Sequence, residues 1–249
     1  MCRLTAYAGG PLTADALVFG GTHSLLEQSY VPRELLYGHV NADGYGVVWY
    51  RGATPVRTGG ARPIWQDEDL RALLEGVSST TILASVRNAT PGIPIAGGNQ
   101  PLVHGRWSFI LNGFVENFRG SHMRTLRSRL PDDLYGHLAG SSDSETLFLL
   151  ALATVQTGAS RLDALRRVRD IVLEAVEAEN HTAQLTMVLA DEDGIGVLNT
   201  GSETTTNSLY LAHGHPLAPR GTLLASERLD DHSSWEPVAP HDDLELISP

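Results

Sequence analysis

The one cysteine of this 249-residue chain is Cys2, so no disulfide can form within it and the fold must be held by a hydrophobic core. Its position directly behind Met1 also bears on chemistry. A small residue there allows an aminopeptidase to remove the initiator methionine. A mature chain beginning at Cys2 would carry a thiol and a free α-amine on one residue. With a thiol pKa near ~8.5 and an α-amine near ~7.7 to 8, the amine can act as base for the sulfur at neutral pH. The competing reading is that Cys2 is an inert small hydrophobe.

Composition narrows the rest. Hydrophobic residues make up 42% of a varied sequence, enough for a core in one sizeable domain or two small ones. The net charge is −11 with no offsetting basic block, which argues against nucleic acid or an anionic membrane surface as partner. Gly9, Gly10 and Pro11 interrupt the N-terminal segment, which does not read as a secretion signal. No stretch approaches the ~20 apolar residues of a membrane span, and a cytoplasmic protein is expected. All 18 basic residues are arginine, so Schiff-base and pyridoxal chemistry on a lysine is excluded. No cofactor is expected.

Strands are expected at Leu4 to Ala8, Gly46 to Tyr50, Thr81 to Arg87 and Arg106 to Asn112, and a short helix over Asp67 to Glu75. Ser142 to Glu145 is a capping-box pattern opening an apolar helix to about Gln156. Ser160 caps a second, along which Leu162, Leu165, Val168, Val172 and Val176 recur at helical spacing. Further strands follow at Leu185 to Ala190, Gly196 to Leu198, Leu209 to Ala212, Thr222 to Ala225 and Leu244 to Ile247. Strands, then helices, then strands predict an α+β fold with antiparallel sheets. The polar stretch from Glu116 to Ser141 reads as a surface insertion.

Met1 to Arg3, Asn41 to Gly46 (NADGYG), Arg87 to Thr90 with Gly92, Asn112-Gly113 and Ser142 to Glu145 follow one another in the chain. In this order they resemble the class II glutamine amidotransferases, from residue 1 to about residue 240. Gln28 to Arg33, Ile82 to Ile95, Leu224 to Glu227, Asp230-Asp231 and Trp235 are similar, within that family, to the small stand-alone enzymes of ergothioneine biosynthesis. Those enzymes hydrolyse the γ-glutamyl amide of hercynylcysteine sulfoxide. The resemblance implies a single domain over residues 2–249, with Met1 removed. Its fold would be the four-layer αββα sandwich of N-terminal-nucleophile hydrolases, and its partner a small-molecule γ-glutamyl substrate.

The resemblance also assigns roles. Cys2 would attack the γ-carbonyl, and the Asn112 side chain and Gly113 N–H would form the oxyanion hole. Arg87, followed by Thr90, would hold the substrate α-carboxylate, and Asp143 its α-ammonium. Each has a plainer reading. Asn-Gly after a strand is a common hairpin turn, an arginine at a strand end is often a surface charge, and an acid in a helix's first turn suits the dipole. Asn41 to Gly46 reads as structural support.

A hercynyl leaving group ends in a trimethylammonium, which aromatic faces bind. Tyr30, Tyr37, Tyr45, Trp49 and Trp65 are candidates for that pocket, although most aromatics at such positions are core. His213, His215, His232 and His241, with Asp230, Asp231, Asp242 and Asp243, have the residue types of a metal site, but solvent-facing histidines explain them and no metal is expected. The chain is expected to stand without the synthase domain that such amidotransferases usually feed. A glutaminase subunit supplying ammonia to a separate synthase and a non-catalytic binding module are the alternatives. A homo-oligomer is left open.

Overall fold

Leu4, Ala6 and Ala8 alternate with Thr5 and Tyr7, and both sets are buried. A strand buried on both faces must be covered on both. The computed structural model, which describes residues 2–36, 38–88, 99–202 and 206–248, shows how. From this first strand, β1 (Arg3–Thr13), the chain passes through α1 (Ala14–Phe19) and α2 (Leu25–Tyr30). The hairpin of β2 (Tyr45–Arg51) and β3 (Thr54–Gly60) follows, then α3 (Leu70–Glu75) and β4 (Ser78–Val86). A second run begins with β5 (Leu102–His104) and β6 (Trp107–Val115). Four helices come next: α4 (Met123–Arg127), α5 (Asp132–Tyr135), α6 (Asp143–Val155) and α7 (Arg161–Glu177). The chain closes with β7 (Ala183–Asp191), β8 (Gly194–Gly201), β9 (Tyr210–His213), β10 (Gly221–Ala225), β11 (Trp235–Pro237) and β12 (Asp243–Ile247).

The strands form a seven-stranded sheet in the order β11-β9-β10-β1-β4-β2-β3 and a five-stranded sheet in the order β12-β8-β7-β6-β5. Neighbours run antiparallel, as expected from the order of elements. Leu4, Ala6 and Leu83 of the first sheet pack on Ile110, Val188 and Val197 of the second, a dry layer between the sheets. The outer face of the first sheet packs on α1 and α3 through Tyr7, Val47, Leu17 and Leu74. The outer face of the second packs on α6 and α7 through Leu111, Leu185, Leu150 and Val172. The result is a four-layer αββα sandwich, and the fully buried side chains of the three layers are each worth about 1.5–3 kcal/mol in transfer from water.

The two long helices begin where the capping residues place them. Ser142 Oγ accepts from Glu145 N–H at 3.2 Å and Ser160 Oγ from Asp163 N–H at 3.1 Å. Glu145 turns its carboxylate back onto the N–H groups of Ala139 and Gly140, anchoring the incoming loop. Residues 116–141 depart from the surface insertion expected. Phe118, Leu126, Leu130 and Leu134 are buried against the second sheet and α6; Arg119, Arg124 and Arg129 lie outward, while Arg127 turns in to Thr146 Oγ1 and the Gly140 oxygen. Leu126, Leu130 and Leu134 recur four apart, but Pro131 breaks the stretch into two short helices and no continuous apolar face runs through it.

One buried charge cluster ties the sheet end of β1 to its surroundings. Glu227, just past β10, is 1% exposed and faces Arg3 Nε at 3.4 Å and His23 Nε2 at 2.7 Å. It also accepts from the N–H groups of Arg33 and Glu34, at 2.8 and 3.0 Å. Desolvation pushes its carboxyl up, but the hydrogen bonds from His23, Arg33 and Glu34 and the charge of Arg3 more than reverse this, so it lies below the ordinary carboxylate range. Glu227→Gln strands a buried guanidinium, which costs about 3 kcal/mol and lowers Tm by roughly 6–12 °C. The wild-type advantage is present above the ordinary glutamate pKa and is lost as pH falls through the lowered value. Thermal melts of both proteins across the acid range check the size and its convergence; equal Tm at neutral pH would refute it.

Candidate active site

Strand register brings the first site residues together. In the β1–β4 pair Arg3 stands opposite Val86; one residue outward on either strand are Cys2 and Arg87. Cys2 is in step with Leu4 and Ala6, and Arg87 with Ser85 and Leu83, and both series face the layer between the sheets. From the other sheet Asn112 is in step with Ile110 of the same layer. The nucleophile candidate and the oxyanion candidate therefore approach from facing sheets.

Asn112-Gly113 is not a hairpin turn: both residues lie within β6, paired with Thr186 and Leu185 of β7. Asn112 is fully buried, its backbone oxygen taken by Asn207 Nδ2 at 2.7 Å. Among the described residues its own Nδ2 makes one long bond, 3.4 Å to Ser226 Oγ, and its Oδ1 has no partner. A weakly held amide donor is free to turn to a developing oxyanion at little cost. Gly113 is required by space, since a Cβ would lie 1.9 Å from the Gln184 carbonyl oxygen. Ser226 Oγ also accepts from Leu4 N–H at 3.0 Å, so one hydroxyl bridges the Cys2 strand and the Asn112 side chain.

Arg87 is 8% exposed, which sets aside the surface-charge reading. Its backbone bonds to the Asn41–Gly46 segment, donating to the Gly44 oxygen at 2.8 Å and accepting from Asp43 N–H at 3.0 Å. That segment is support, as expected. Gly44 holds φ 125°, and its Cβ would meet the Gly60 oxygen at 2.7 Å; one on Gly46 would meet the Gln100 oxygen at 2.4 Å. Thr90, with Gly92, lies outside the described residues, as does Tyr37.

Asp143 is the first residue of α6. It accepts from Val115 N–H at 3.1 Å and from Ser144 N–H at 2.8 Å, which joins the helix start to the end of β6. Desolvation raises its carboxyl above the ordinary aspartate value, against the opposing effect of those N–H groups. A carboxylate so placed gains from a cation brought to it.

Gln100 is the positioning residue the sequence did not disclose. Its buried side chain donates from Nε2 to the Leu111 oxygen at 3.1 Å and to Ser144 Oγ at 3.2 Å. Its Oε1 accepts from Leu111 N–H, and its backbone oxygen takes Ser85 Oγ–H at 2.7 Å. It therefore holds the neighbours of Asn112 and Asp143 and the strand that ends at Arg87. Lone polar residues such as Gln100, Asn207 and Ser226 leave no periodic or spacing signal, because their partners are distant in sequence.

The aromatic candidates divide. Tyr30 and Trp65 form an exposed edge-to-face pair, centroids 5.9 Å apart and 42% and 40% exposed. Tyr45 is opposite Val86 at the same sheet end, and its hydroxyl bonds to the Asp67 carboxylate beside the turn that carries Trp65. Burial and that carboxylate push the phenol up. Trp49 lies four residues along β2 and packs in the outer apolar layer with Val56. His215 pairs with Asp230 at 3.1 Å and packs on His232, while His213 bonds to Thr222.

No protein-family model matches the chain. It is 32% identical to the gamma-glutamyl-hercynylcysteine sulfoxide hydrolase of Mycobacterium tuberculosis, over 96% of this chain and 89% of that protein. The Mycolicibacterium smegmatis protein of the same name is 30% identical over 96% and 92%. A probable glutamine amidotransferase of Saccharomyces cerevisiae is 29% identical over 80% of this chain and 62% of its own length. Among solved structures, a glutamine aminotransferase class-II domain protein of Silicibacter pomeroyi superposes with a TM-score of 0.72 at 24% identity, both chains fully covered. Glutamine phosphoribosylpyrophosphate amidotransferase of B. subtilis, with 47% of its chain covered, has a TM-score of 0.61 at 15% identity. By these relatives and the αββα sandwich, the chain belongs to the class II glutamine amidotransferase family. Within it, the mycobacterial relatives in this comparison are sulfoxide hydrolases of the γ-glutamyl class.

Gln100→Ala leaves the Leu111 N–H and carbonyl without their side-chain partner, at about 1–3 kcal/mol for each orphaned group. A fall in amidohydrolase kcat of at least about 10-fold is expected below the melting range, since small misplacements of catalytic groups are costly. Steady-state kinetics beside a thermal melt check it; full activity would remove Gln100 from the site's support.

Proposed function

We propose that this chain is a single class II amidotransferase-like domain that hydrolyses the γ-glutamyl amide of γ-glutamyl-hercynylcysteine S-oxide. The products are glutamate and hercynylcysteine S-oxide. The observation that carries the reading is the meeting of Cys2 and Arg87 on one sheet with Asn112-Gly113 on the facing sheet and Asp143 bound to it. The chain's likeness along nearly its whole length to hydrolases of that name supports the substrate.

The chemistry follows from these groups. With Met1 removed, the α-amine of Cys2 takes the thiol proton as sulfur attacks the γ-carbonyl carbon. The negative charge that develops on oxygen is met by Asn112 Nδ2–H and Gly113 N–H, each such donor being worth roughly 2.7–4 kcal/mol. Collapse expels the leaving amine, which takes the proton back, and leaves a γ-glutamyl thioester on Cys2. Water then attacks the thioester, freeing glutamate and the thiol. Arg87 holds the α-carboxylate with its planar fork, and Asp143 holds the α-ammonium, whose charge reverses the desolvation of that carboxyl.

The exposed Tyr30–Trp65 pair supplies aromatic faces for a trimethylammonium; the nearby Asp67 carboxylate is taken by Tyr45 and Arg62. Trp49 serves in packing beneath the aromatic pair. The likeness to a probable glutamine amidotransferase supports one other substrate, glutamine, with ammonia passed to a separate synthase.

Glutamate release from the sulfoxide and from glutamine, measured side by side on methionine-processed protein, separates these. The sulfoxide is expected to react far faster, Cys2→Ala to abolish the reaction, and Asn112→Ala to lower kcat by about 100- to 1,000-fold. Preference for glutamine would transfer the chain to the ammonia-supplying reading. Because the Asp143 carboxyl is raised in the free enzyme, kcat/KM falls as pH drops through that raised value and the ammonium partner is neutralised. Asp143→Asn removes this acid limb and raises KM by about 10- to 100-fold. An unchanged pH profile in that variant would free Asp143 of the role.

A further inference from the structure

Two histidines from distant parts of the chain meet just beyond the Val115–Ala183 end of the β6–β7 pair. His122 closes the π-turn that follows β6 and is 1% exposed. Its Nε2 lies 2.9 Å from Nδ1 of His181, which stands between α7 and β7. Glu179 brings a carboxylate oxygen 3.8 Å from that same His181 nitrogen, and one ligand atom from each of the three lies within 4.8 Å of the others. Asn180 takes a left-handed φ of 56° between Glu179 and His181, a turn in which side chains two apart converge. Glu116, at the end of β6, grips this turn from the other side: its carboxylate accepts from Thr182 N–H at 2.8 Å and from the Thr182 hydroxyl at 2.9 Å.

We propose that His122, His181 and Glu179 bind a transition-metal dication of the Zn2+ class. Two imidazole nitrogens and a carboxylate oxygen are the donors such ions take. Tetrahedral bonds of about 2.0–2.1 Å put ligand atoms roughly 3.3 Å apart, so the histidine pair needs only a slight opening. The Glu116 and Glu179 carboxylates balance the ion's charge. Glu116 supports the site through Thr182 and is not counted as a ligand. The bound ion is a structural clip between the segment after the oxyanion strand and the α7–β7 turn. It supplies no group to the amide chemistry: His181 is five residues from Thr186, the partner of Asn112, roughly 16–17 Å along extended chain. These residues are not among the histidine and aspartate pairs that the sequence brings forward.

Untagged Cys2→Ala protein, which lacks the competing thiol, is titrated with zinc chloride by calorimetry and assayed for metal after dialysis. A single zinc ion per chain is expected, with a Tm rise of roughly 5–10 °C at 100-fold excess over Kd. His181→Ala and Glu179→Gln, both at partly exposed positions, should weaken zinc by more than about 10-fold, a cost that even outer-shell partners reach. His232→Ala should leave binding unchanged. Melts in chelator report whether each variant is folded. Absence of stoichiometric zinc, or equal affinity in a folded His181→Ala protein, would overturn the site. In the wild-type enzyme with zinc removed, the glutamate-release rate is expected to hold at temperatures below the melt; loss of activity there would overturn the purely structural role.

Discussion

The buried carboxylate of Glu227 is the constraint on which the open end of the first sheet depends. Arg3 follows Cys2 directly and its guanidinium is fully buried, so the start of the chain is held by a charge that must find its counter-charge inside the protein. Glu227 supplies it and at the same time takes the N–H groups of Arg33 and Glu34 and the ring of His23. One residue earlier, Ser226 bonds to Leu4 and Asn112. The dipeptide Ser226-Glu227 thus links β1, the segment after α2 and β6. Buried ion pairs contribute little net stability but are costly to break, which suits a device that holds geometry.

Around that anchor the site is a consequence of two sheets packed face to face. Period-two alternation puts Cys2, Arg87 and Asn112 in step with residues of the layer between the sheets, and antiparallel register sets Cys2 and Arg87 at neighbouring strand ends. Buried polar atoms fill the gaps. Gln100 occupies the junction of β4, β6 and α6, and the Asn207 side chain holds the backbone of Asn112.

Legibility followed the range of the interactions. The α6 and α7 starts were readable to the residue at Ser142 and Ser160, because caps are local. The strands Thr81 to Arg87 and Arg106 to Asn112 were readable as apolar runs, within a few residues of their observed ends. The short helices α1, α2, α4 and α5 were not, each having six residues or fewer; of the helices that short only α3, over Leu70–Glu75, was anticipated. Asn112-Gly113 shows the limit most clearly. The dipeptide is a hairpin signal by itself, and only pairing with β7 makes it an extended strand. The residues 116–141 misled for a related reason: the core they cover belongs to elements on either side of them in sequence.

By itself the sequence determined the chemistry available: one thiol, no lysine amine, a net acidic surface, two capped helices and an α+β order. It also carried the motif series that resembles the amidotransferase family. What only the tertiary structure decided is which of those groups act together. The Gln100 junction, the Ser226-Glu227 link, the split between the exposed Tyr30–Trp65 pair and buried Trp49, and the His122–His181 contact all join residues tens to hundreds of positions apart. No local pattern records such meetings, because they arise from strand register and the packing of layers, and neither exists until the whole chain has folded.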